Sequence, residues 1–145
     1  MSARASITSA LVTALKEIDP VNGYQSSVFN NVISKLKFWD EITDFPTICV
    51  IPGSESREYL PGSFKWGYLN VSLKVYTKGE DPLAMLEALL EDIEKVVDSN
   101  RVLIYDVDNN LQTTEILISS IVTDEGLLAP YGVGEINLQV RYQVL

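Results

Sequence analysis

Two stretches alternate with a period of two, over eight and ten residues, and they commit the chain to a β-sheet with one buried face. In residues 66–76, Leu69, Val71, Leu73 and Val75 point one way, while Tyr68, Asn70, Ser72 and Lys74 point the other. In residues 133–144, Ile136, Leu138, Val140, Tyr142 and Val144 face in, while Glu135, Asn137, Gln139, Arg141 and Gln143 face out. Both strands therefore carry an aliphatic core face and a polar outer face. Residues 113–123 (TTEILISSIVT) predict a further strand, joined to the last by a connection from Asp124 to Gly132. Thr47–Ile51 is a short apolar run that predicts a strand buried on both faces and closed by Pro52-Gly53. Val102–Tyr105 suggests a short strand before a turn at Asp108-Asn109-Asn110.

Helical periodicity occurs twice. Ile7, Leu11, Leu15 and Ile18 recur along one narrow stripe, with Ser2 or Ser6 available as a cap and Asp19-Pro20 and Asn22-Gly23 as the stop. The stronger signal runs over 82–98. Asp81 caps it, Pro82 takes the first position, and Leu83, Leu86, Leu90, Ile93 and Val97 form the apolar stripe opposite Glu87, Glu91, Glu94 and Asp98. Residues 24–39 are ambiguous. Val28, Phe29, Val32 and Ile33 favour an extended segment, Lys35–Phe38 alternate as a half-buried strand would, and a helix is the alternative. Trp39–Asp44 reads as a loop, and Gly53–Ser63 as a mobile polar loop of functional length. The fold class expected is α+β: an antiparallel-dominated β-sheet with two main amphipathic helices packed on one face. At 145 residues the expectation is a single domain, 1–145.

Composition closes off several chemistries. With 11 Lys+Arg against 20 Asp+Glu, the chain carries a net charge of -9, which argues against a general nucleic-acid binder. There is no histidine, so imidazole metal sites and Ser-His or Cys-His nucleophile pairs are excluded. The single Cys49 lies in an apolar run and reads as a buried structural thiol. The N-terminus lacks a signal-peptide pattern and no stretch is long and apolar enough to span a bilayer, so a reducing cytoplasm and no membrane are expected. The dispersed glycines contain no phosphate-cradling motif, and Gly132-Val133-Gly134 is too short to count as one. No cofactor is expected.

Three features remain as site candidates. Asp106 and Asp108 sit two apart, so on a strand both carboxylates would share a side and, with Asn109 or Asn110, could hold a hard cation for a metal-dependent enzyme. The ordinary reading of the same residues is a turn. The acidic stripe of the second helix is either a solvated face or a surface turned to a partner. Residues 73–145 hold 5 basic and 13 acidic side chains, whereas residues 1–72 hold 6 and 7. The aromatics Trp39, Tyr59, Phe64, Trp66 and Tyr68 are core or strand-end packing on one reading. On the other they are interface anchors, with Tyr59 and Trp66 the better placed for that role. Catalysis finds no good candidate. What remains is surface, with the long C-terminal strand as an edge suited to pairing.

The sequence of features resembles the tail terminator (tail completion) proteins of long-tailed bacteriophages. The matching segments are ITSALVTALKEI, FPTICVIPG, WGYLNVSLKVYTKGEDP, LAMLEALLEDIEKVV and the closing VTDEGLLAPYGVGEINLQVRYQV. The resemblance implies a structural virion protein, not an enzyme, that forms a hexameric ring. Such a ring caps the tail tube, halts polymerisation of the tube protein and presents a surface to the head connector. It implies a place in the virion tail after assembly in the host cytoplasm, with contact to a sheath protein where the tail contracts. DNA would pass through the lumen without specific binding, since a negative lumen repels phosphates. On this reading Ser54–Lys65 reaches toward a neighbour or the tube. Arg57, Glu58, Lys65 and Arg141 are then candidate charge partners between subunits, with Tyr59 and Trp66 as anchors. The alternative within the same class is another neck or adaptor ring protein of a phage or contractile injection apparatus.

Overall fold

A computed structural model describes residues 1–145. In chain order the elements are α1 (Ala3–Leu15), β1 (Val32–Ile33), β2 (Thr47–Leu60), β3 (Phe64–Lys78), α2 (Pro82–Ser99), β4 (Ile104–Asp106), β5 (Leu111–Gln112), β6 (Glu115–Thr123) and β7 (Tyr131–Val144). Short 3-10 turns occur at Pro20–Asn22 and Trp39–Glu41. Five strands form one sheet in the order β1-β2-β3-β7-β6, and β4 and β5 form a small ribbon. Every pairing in the large sheet is antiparallel except β1 with β2. This is the α+β architecture expected from the alternation. No helix is long and apolar enough to cross a membrane.

The core lies on one face of the sheet. Leu69, Val71, Leu73 and Val75 of β3, together with Ile136, Leu138, Val140 and Tyr142 of β7, are buried there against both helices. α1 contributes Ile7, Leu11 and Leu15, and Ile18 just beyond its end is also buried. Ser2, not Ser6, caps α1 by accepting from Ala5 N at 3.1 Å. α2 contributes Leu86, Leu89, Leu90, Ile93, Val96 and Val97. Asp81 caps it, accepting from Ala84 N at 3.2 Å, and Pro82 begins it. Leu83, expected on the stripe, is exposed, whereas Pro82 beside it is buried.

Two glycines let α2 approach so closely. A Cβ at Gly132 would stand 2.7 Å from the Pro82 carbonyl oxygen, and one at Gly134 would stand 3.1 Å from Leu86 Cδ1. The Gly132-Val133-Gly134 run is therefore a seat for a helix rather than a ligand loop.

Several expectations are corrected. Residues 35–38 form no strand, and Leu36 and Phe38 are exposed. The segment 24–39 contributes only the two residues of β1, because Phe29 and Asn30 adopt positive φ and break the extended run. Residues 36–45 instead cross the outer face of the sheet. Tyr76 Oη donates to the Lys37 carbonyl at 2.6 Å, and Trp39 and Phe45 pack on Tyr131 at 5.0 and 5.7 Å. Cys49 is buried and free, and its burial pushes the thiol pKa up, so it is a poor nucleophile. The strand from Thr47 does not stop at Pro52-Gly53 but runs on to Leu60. The C-terminal strand β7 is central, hydrogen-bonded on both sides by β3 and β6. The open edges are β6 and the part of β2 beyond its short pairing with β1 at Ile48 and Cys49.

Candidate functional site

The segment expected to be a mobile loop is a β-hairpin arm. β2 and β3 remain paired from Glu55↔Leu69 to Leu60↔Phe64, turning at Pro61-Gly62-Ser63. Gly62 and Ser63 take positive φ there, which a tight turn needs. One extra residue is accommodated in β2 between Pro52 and Glu55. Such a bulge shifts which residues point to which face. Arg4 of α1 donates to the carbonyl of Gly53 at this irregularity and ties the helix to the base of the arm.

The register then sorts the six sequence candidates onto two faces. On the helix side, Glu55 lies opposite Leu69, Arg57 opposite Gly67 and Tyr59 opposite Lys65. Glu55 is the organising residue. It pairs with Arg57 and accepts a 2.7 Å hydrogen bond from Tyr142 Oη in β7. That contact, between residues of β2 and β7 that flank β3, holds the arm in line with the sheet. Lys65 Nζ stands 5.9 Å from the Tyr59 ring centroid, and Tyr59 is 72% exposed. On the outer face, Glu58 accepts from Tyr68 Oη at 3.3 Å. Arg141 stacks on Trp66 at 4.3 Å and on Tyr68 at 5.7 Å. Its buried Nε has no hydrogen-bond partner. Phe64, expected in the core, is exposed at the tip beside Leu60.

The structure thus gathers Arg57, Glu58, Tyr59, Lys65, Trp66 and Arg141 on the arm and the adjoining stretch of β7. Sequence reasoning missed Glu55 and Tyr142 as the arm's anchor. Residues 53–63 are polar and turn-forming without a hydrophobic period, and nothing local links positions 55 and 142.

Burial and then the Glu55 hydrogen bond push Tyr142 up to about 12, and burial pushes Tyr76 up to about 12 as well. Both phenols are neutral in the fold at a pH where the unfolded chain, with pKa values near 10, has already released their protons. The unfolded state then holds fewer protons than the native state, so stability falls as pH rises. The contribution of these two tyrosines is expected to be fully present below pH 10 and to be lost progressively between pH 10 and about 12. Denaturant titrations across that range check this. Absorbance at the phenolate band should show these two tyrosines ionising together with unfolding.

Asp106 and Asp108 do not share a strand face. β4 ends at Asp106, and Asp108 lies exposed in the following turn. Asp106 accepts from Asn109 Nδ2 at 2.9 Å and Asn109 N at 3.1 Å, and these bonds hold its carboxyl below the usual carboxylate range. The pair is a turn cap. No three acidic or thiol side chains in the structure converge as a metal site would require.

The acidic helix and the sheet edge beside it form a second surface. Glu87, Glu91, Glu94 and Asp98 line a shallow groove of about 720 Å³ between α2 and Ile121 of β6. Along the same edge, Leu117, Ile121 and Val122 are 40%, 44% and 56% exposed, an apolar share that solvent alone does not favour.

Similarity to known proteins runs the length of the chain. Tail tube terminator protein p142 of Escherichia phage T5 is 37% identical over 153 residues, covering 99% of this chain and 95% of that protein. A chain from the virion of a native gene transfer agent particle shares the fold with a TM-score of 0.67 at 10% identity, covering 99% of this chain and all of its own. The family described as Bacteriophage Tail Tube Terminator Protein matches residues 1–145. With the family match spanning residues 1–145 and the 37% identity spanning 99% of the chain, the protein belongs to the bacteriophage tail tube terminator family.

Proposed function

We propose that the chain acts as one terminator domain, residues 1–145, whose copies join head to tail into a closed hexameric ring on the end of a phage tail tube. The ring stops addition of further tube protein and offers its opposite side to the head connector or neck protein. A sheath protein is a further neighbour where the tail contracts. The ring assembles in the host cytoplasm, remains in the virion tail and performs no reaction. DNA passes through its lumen, kept from sticking by the chain's net charge of -9.

The observation that carries this reading is the end-to-end match to a terminator at 37% identity. The two different open sheet edges favour heterologous contacts, which close into rings when the rotation permits. The test is polymerisation of purified tube protein with increasing amounts of this protein. Tubes are expected to shorten and stop growing at substoichiometric ratios, one ring per tube. Unchanged tube length at saturating protein would overturn the reading.

A further inference from the structure

We infer that the hairpin arm of one copy, Glu55–Lys65, docks into the acidic groove between α2 and β6 of the next copy and extends its sheet. This rests on the ring reading above and names the surfaces that would make it.

Strand polarity permits the join. Because β2, β3, β7 and β6 alternate in direction, β6 runs opposite to β2. A second copy rotated about a ring axis, without inversion, presents its β2 edge antiparallel to the β6 edge of the first. β6 is hydrogen-bonded only to β7, and the arm portion of β2 only to β3, so both offer free backbone N–H and C=O groups.

Sidedness matches on both faces. A sheet continued in this way keeps its helix side on one side. There the arm carries Arg57, Tyr59 and Lys65, with the charge of Glu55 already taken by Arg57 and Tyr142. The groove that meets them presents Glu87, Glu91, Glu94 and Asp98, with Lys95 as its one cation. On the outer side the arm carries Leu60 and Phe64, 42% and 51% exposed. The outer side of β6 carries Leu117 and Val122, opposite Gln139 and Glu135 of β7. Basic thus faces acidic on one side and apolar faces apolar on the other. Within their own chain, Arg57 pairs with Glu55, whereas Lys65 and the groove's four carboxylates form no ion pair.

Charge exchange tests this. The groove variant E87K/E91K alters exposed residues and should keep the wild-type circular dichroism and melting temperature; the arm variant R57E/K65E gives up the pair with Glu55, so its circular dichroism and melting temperature are measured alongside, and the single variant K65E, which leaves that pair intact, serves as its control. Alone, each is expected to lose subunit affinity about 100-fold or more, since like charges would meet at every junction. Mixed one to one, the reversed arm fits the reversed groove and the native arm fits the native groove. Rings of strictly alternating 1:1 composition should return, which native mass spectrometry resolves. Rings formed unchanged by either variant alone, or no recovery on mixing, would overturn the docking while leaving ring formation intact. A wild-type chain that never associates would instead remove the ring reading beneath it.

Discussion

Replacing Asp92 with alanine is expected to cost about 4 kcal/mol of stability. Asp92 is completely buried on α2, between the exposed Glu91 and the core residue Ile93. Its carboxylate accepts from Gln25 N at 3.0 Å and from Ser26 N at 2.8 Å. These charge-assisted bonds pin the segment that follows the first helix onto the second, and each contributes on the order of 1.5–3 kcal/mol. Alanine leaves both amides without an acceptor and opens a gap. Asparagine keeps one acceptor oxygen and should lose about half as much. For a chain of this size the alanine variant should melt about 12 °C lower. A shift of only a degree or two would mean that water replaces the carboxylate and that the 24–28 segment is not held by α2.

The second large effect is at Gly132. Valine there is expected to destabilise by about 3 kcal/mol. Its Cβ would lie within 2.7 Å of the Pro82 carbonyl oxygen, a backbone atom that cannot swing aside, and closer still to Thr77 Oγ1. Thr77 Oγ1 donates to the same Pro82 carbonyl at 3.1 Å, so the start of α2 is fastened to β3 at the point where β7 passes beneath it. Pushing α2 outward breaks that fastening and lifts Leu86 and Leu90 from Gly134. By contrast, a Cβ at Gly126 would meet nothing within 4 Å, so the strain of Gly126→Ala would come from its positive φ alone and should be much smaller. Urea denaturation of the three proteins ranks them directly. Equal losses at Gly132 and Gly126 would contradict the close helix-sheet approach.

The parts of the fold legible in the sequence were those whose periodicity is set by one buried face. β3, β7 and α2 alternate or repeat because the core reads one side of each, and their positions followed within a few residues. The arm was not legible as a strand because both of its faces are exposed, so burial imposes no hydrophobic period on it. Its order comes from Glu55, Arg57 and Tyr142, a contact spanning residues 55 and 142. Asp92 was hidden for a related reason. In a row of helical acids nothing local separates the carboxylate that meets two loop amides from those that meet water. Residues 35–38 misled in the other direction. They alternate, but they cross the sheet's outer face without pairing, so propensity was overridden by tertiary contacts such as the one between Lys37 and Tyr76. The candidate interface residues lie together on the arm and the adjoining stretch of β7, yet the groove proposed to receive them could not be assembled from sequence. It joins α2 to β6, which follows it only after β4 and β5.

Electron cryomicroscopy of tube ends shows whether this chain closes them as a ring. Tubes grown with the protein are expected to carry one closed ring of six copies on one end only, its sheets joined where each arm meets the next subunit's β6. Bare ends, protein scattered along the tube wall, or single copies bound without contact to one another would contradict it.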